Sequence, residues 1–85
     1  MPQFFDQHPL AHASLTEEAV EAMRAQMKAE APDDFGVRLL SVFVAVNGQG
    51  YCLSEAPDVE AVVKSHEAKG YLIDPMDVVQ VASLI

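Results

Sequence analysis

Eighty-five residues are enough for one small domain, and an apolar content of 51% excludes a disordered chain. Thirteen acidic residues against five basic ones leave a net charge of −8, the wrong sign for gripping nucleic-acid phosphates or an anionic membrane surface. The one cysteine cannot close a disulfide within the chain, no stretch is long enough to span a bilayer, and residues 1–6 lack the basic and apolar regions of a signal peptide, so a free thiol in a cytoplasmic setting is expected.

Residues 3–8 form the first candidate strand. Strand alternation puts Phe4, Asp6 and His8 on one face and Gln3, Phe5 and Gln7 on the other. Pro9 ends it, and a loop with a second histidine, His12, follows. Thr16 is a good N-cap and Glu17 and Glu18 suit the positive end of a helix dipole. Val20, Met23 and Met27 then recur at helical spacing until Pro32 forces an end near Ala31. Asp33-Asp34-Phe35-Gly36 reads as a turn.

Residues 37–46 carry the strongest strand signal. Strict alternation gives Val37, Leu39, Phe43 and Ala45 on one face and Leu40, Val42, Val44 and Val46 on the other, so both faces are expected to be covered, one by this chain's helices and the other by a second subunit. Asn47-Gly48-Gln49-Gly50 is a hairpin turn of the Asn-Gly kind, and residues 51–55 return as a strand. Pro57 suits the first helical turn, and Asp58 and Glu60 its dipole. Val59, Val62, Val63 and His66 share one helical stripe, which places His66 on the core side. Gly70 ends the helix, Asp74-Pro75 turns the chain, and residues 78–84 form a last strand.

The order β-α-β-β-α-β predicts an α+β, ferredoxin-like fold for residues 1–85, a four-stranded antiparallel sheet with two helices on one face. In that topology the first and third strands are central and antiparallel, so the end of one meets the start of the other. His8, Cys52 and His66 then arrive at one edge, with Asp6 two residues inboard. Each has an ordinary reading alone: Cys52 as a small buried hydrophobe, His66 as a core-edge ring on a carbonyl, Asp6 as a solvated strand residue. Together they form a His, Cys and carboxylate set suited to a borderline divalent metal, which nickel, zinc and copper all fit. A register error of one residue would turn Cys52 away.

Three segments resemble a family of small bacterial proteins long filed as a domain of unknown function and now described as nickel-binding. They are Met1-Pro2-Gln3-Phe4-Phe5-Asp6-Gln7-His8, then Tyr51-Cys52-Leu53-Ser54-Glu55-Ala56-Pro57-Asp58, then Glu60-Ala61-Val62-Val63-Lys64-Ser65-His66-Glu67-Ala68-Lys69-Gly70. The resemblance implies a ferredoxin-like fold, a homodimer and nickel as ligand, with Asp6, His8, Cys52, Glu55 and His66 at the matching positions. Topology puts Glu55 at the far end of its strand, where orienting the Pro57 turn suits it better.

Three functions compete. The first is a transition-metal buffer, carrier or sensor using Asp6, His8, Cys52 and His66; no basic patch or helix-turn-helix pattern supports DNA binding. The second is a dimeric enzyme or small-molecule binder with His8 and His66 as acid/base groups and Cys52 as a thiol, which an apolar cavity would favour. The third is a plain dimerisation module.

Overall fold

A computed structural model describes residues 1–9 and 16–84. The elements run β1 (Gln3–Pro9), α1 (Glu17–Ala29), β2 (Arg38–Val44), β3 (Gln49–Glu55), α2 (Val59–Ala68), a 3-10 turn (Pro75–Asp77) and β4 (Val78–Val81). The sheet order is β2-β3-β1-β4, all antiparallel, which is the ferredoxin-like arrangement with β1 and β3 in the middle. The loop with His12 lies outside the described residues.

Local chemistry sets the helix ends. Thr16 accepts a hydrogen bond from Ala19 N–H at 3.1 Å, and Asp58 accepts one from Ala61 N–H at 2.8 Å. The first helix ends two residues before Ala31, because Glu30 already adopts a left-handed φ of 53°. Gly70, at φ 88°, closes α2 as expected, and Tyr71 N–H reaches back to His66 O at 2.9 Å.

Phe4, Ser54 and Leu39 align across β1, β3 and β2, as do Asp6, Cys52 and Val42. Buried positions alternate along β3 (Gly50, Cys52, Ser54), which marks the face under the helices. The core there is Phe4, Val37, Ala56, Val62 and Val78, with Val59, Ala61, Val63 and Ile73 packed around it. The other face carries Phe5 and Tyr51, stacked with ring centroids 5.6 Å apart, together with Leu53, Phe43 and Val79.

The second strand departs from the alternation read in the sequence. Leu39 pairs with Ser54 and Ser41 pairs with Leu53, so Leu40 is an extra residue, a β-bulge. Beyond it the phase switches: Val42 and Val44 join Leu39 on the helix face, and Phe43 moves to the other. Both faces are not covered within the chain, since Phe43 is 54% and Val44 47% exposed. The hairpin also sits two residues earlier than expected. Gly48 N–H bonds to Ala45 O at 2.9 Å and Ala45 N–H to Gln49 O at 2.8 Å, so the turn centres on Val46 and Asn47 with Gly48 left-handed behind it. The last strand stops at Val81 rather than Leu84, with a 3-10 turn ahead of it.

Candidate metal centre

Three elements each bring one side chain to the same buried point. From β1 comes Asp6, fully buried; from β3, directly opposite it in the register, comes Cys52; from the last turn of α2 comes His66. One ligand atom from each lies within 4.8 Å of the others. A carboxylate oxygen, a thiol sulfur and an imidazole nitrogen are the donor types of a borderline transition-metal site.

The histidine is held in one orientation. Its Nδ1 sits 2.9 Å from the carbonyl oxygen of Val62, one turn earlier in α2. A carbonyl only accepts, so Nδ1 carries the hydrogen, and Nε2 is left facing Asp6 Oδ1 at 3.3 Å. Locking one ring nitrogen on a backbone carbonyl is how metal-binding histidines are commonly aimed. Burial by itself pushes the imidazole pKa down. The hydrogen bond and charge of Asp6, with smaller help from Cys52 and the Val62 carbonyl, overcome this and raise it from 6.5 to about 10. Without metal, then, His66 keeps its proton at neutral pH.

A second polar linkage steadies the helix end that carries His66. The Asp33 carboxylate accepts from Phe35 N–H at 2.9 Å, from Val37 N–H at 3.0 Å and from the Ser65 hydroxyl. Burial pushes the Asp33 carboxyl up, but these donors, with Lys69 nearby, hold it below the usual range. The loop after α1 is thereby tied to α2 one residue before His66. Sequence reasoning read Asp33 only as a turn residue; an aspartate two residues ahead of a loop N–H was the available sign.

The expected site residues are therefore placed as follows. Asp6, Cys52 and His66 meet. Asp6, rather than His8, is the residue opposite Cys52; the His8 backbone pairs with Gly50, two residues further out, and its side chain lies outside the described residues. Glu55 is not at the site. It points to the opposite sheet face, where its carboxylate meets the Arg38 guanidinium at 3.5 Å. That contact, rather than the Pro57 turn, is its partner.

Residues 4–79 match the family described as nickel responsive protein SCO4226-like. The chain belongs to that family. Among solved structures it is similar to the crystal structure of SCO4226 from Streptomyces coelicolor A3(2), with 28% identity over 98% of this chain and 99% of that one and a TM-score of 0.65. No curated protein matches. The family assignment and the ferredoxin-like fold agree with the resemblance read from the three sequence segments.

Proposed function

We propose that this protein binds a divalent transition metal, nickel foremost, through Asp6, Cys52 and His66, and serves as a buffer, carrier or sensor of that metal. The observation that carries the reading is the burial of a carboxylate, a thiol and an oriented imidazole at one point on three separate elements. The family's description as nickel responsive supports nickel over its neighbours. Donor chemistry alone does not, because zinc and copper take the same groups. His8, expected on the same strand face as Asp6, is the fourth candidate ligand.

A metal here would supply a charge that replaces two protons. Its arrival requires loss of the His66 Nε2 proton and of the Cys52 thiol proton. The chain's part is to hold the imidazole on Val62 O, to bury the three donors from water, and to keep the Asp6 carboxylate against them. No acid/base or thiol reaction is assigned.

The second copy expected from the sequence belongs on the open sheet face. Phe5, Tyr51 and Leu53 are half-buried there, and Phe43 and Val79 are 54% and 57% exposed, on a side no helix among the described residues covers. No helix among the described residues is long and apolar enough to cross a membrane, and the acidic surface disfavours nucleic acid.

Native mass spectra of chelator-stripped protein, reloaded separately with nickel, zinc and copper, test metal and assembly together. Metal held by the wild-type dimer and lost from Cys52→Ala is the expected result. Equal retention by both, or by neither, overturns the site.

A further inference from the structure

Beside the triad lies a cavity of about 60 Å³ between the helix face of the sheet and the two helices. Met23, Val37, Leu39 and Val42 make its apolar walls, and Cys52, Ser54 and His66 line its inner side. At roughly 10–15 Å³ per water-sized sphere, it has room for about four such groups. Ser54 is 1% exposed, and its hydroxyl has no hydrogen-bond partner among the described residues. It sits between Phe4 and Leu39 on the neighbouring strands, a position that a plain core would fill with an apolar side chain. A buried hydroxyl with no partner is unfavourable, and each such group in a native fold calls for an explanation.

We propose that this cavity is a binding site for a small neutral molecule with a short aliphatic body and a single hydroxyl or thiol head, the head hydrogen-bonded to Ser54. The chemistry of the walls selects that class. Ser65 and Lys69 are engaged with Asp33, His66 with Val62 and Asp6, and Cys52 with His66, so Ser54 is the lining hydroxyl left to receive a head. A water cluster needs two to four polar partners per molecule, and on the side formed by Met23, Val37, Leu39 and Val42 it would find none. The mainly apolar walls disfavour a charged occupant, whose desolvation they would not offset. A body of three carbons fills the space, displaces poorly held water and buries apolar surface. Met23 adapts to such an occupant, since an unbranched thioether changes shape at little cost.

The test is a titration of chelator-stripped protein with 1-propanol, followed by carbon–proton spectra of the methyl groups. Saturable shifts confined to Met23, Val37, Leu39 and Val42, with a Kd of roughly millimolar order, are expected for so small a ligand. Ser54→Ala should weaken binding by about three- to tenfold, the worth of one hydrogen bond. Met23→Phe, which fills the cavity from the helix side, should abolish it while the spectrum stays dispersed. Shifts that drift linearly and equally at the exposed Leu72 and Met76 methyls would overturn the proposal. So would unchanged affinity in both variants, or the absence of cross-relaxation from propanol to Leu39 and Val42 in the wild type.

Discussion

The second helix buries Val62, Ser65 and His66 against the sheet, whereas the first, three residues longer, buries none. Both begin with a good N-cap and acidic first turns, so local helix chemistry does not separate them. What separates them is the strand beneath. α2 packs toward β4 over the central strands, and α1 lies over β2, the edge strand with the bulge. Alanines on α1 and its flexible Met23 and Met27 leave a groove of about 350 Å³ between Val20, Met27, Val42 and Val44. The side that carries the imidazole is the firmly packed one. The loosely packed side lines the space a ligand would enter. Rigid placement of donors and an adaptable neighbouring wall are thus divided between two helices on one face.

The sharpest way to break this contrast is at the triad. Cys52→Ala or His66→Ala should lower metal affinity more than about a hundredfold, read by competition with a chromophoric chelator, while Met27→Ala on the loose helix leaves it unchanged. Asp6→Asn should cost on the order of 3 kcal/mol in denaturant unfolding of the metal-free protein, because the buried imidazolium loses its counter-charge. Val62→Ala should destabilise by about 2 kcal/mol and Met27→Ala by less than about 1 kcal/mol; equal losses would erase the distinction between the helices.

Acidity sharpens the same comparison. Because the folded His66 pKa lies above its unfolded value of 6.5, at about 10, its contribution to stability is complete below 6.5 and is lost as pH rises through 10. Metal-free protein should therefore lose thermal stability across that window, and Asp6→Asn should flatten the loss. Metal affinity runs the other way, rising by about tenfold per pH unit for the His66 proton alone as protonated His66 gives it up. The smallest effect is expected at Glu55→Gln, whose half-exposed ion pair with Arg38 on the far sheet face is worth less than about 1 kcal/mol and should not touch metal affinity.

Much of this was legible in the residues. Element order followed from turn chemistry and periodicity, and antiparallel pairing of the central strands then brought Asp6, Cys52 and His66 to one end. That Asp6 lies directly opposite Cys52 could not be read from the sequence, because register depends on inter-strand pairing, which no single strand encodes. The bulge at Leu40 was hidden because Leu40 is as apolar as its neighbours, so the hydrophobic pattern had no gap to betray it. The Asp33 bond to Ser65 spans 32 residues, beyond the reach of any local pattern. Nor does helical spacing say how well a helix is packed: Val20, Met23 and Met27 on α1 look as regular as Val59, Val62 and Val63 on α2.

The extra residue at Leu40 acts like a frameshift written in space. Upstream of it, odd-numbered side chains of the strand look toward the helices; downstream, even-numbered ones do. A relative lacking that one residue would pair regularly with β3 and keep Val42 toward the cavity and Phe43 toward the open face, whereas the same chain paired without the bulge would exchange inside and outside over the strand's far half. Whether the strand takes up its extra residue as a bulge therefore decides, in one step, what the cavity can hold and what the open face can bind, without altering a single amino-acid type.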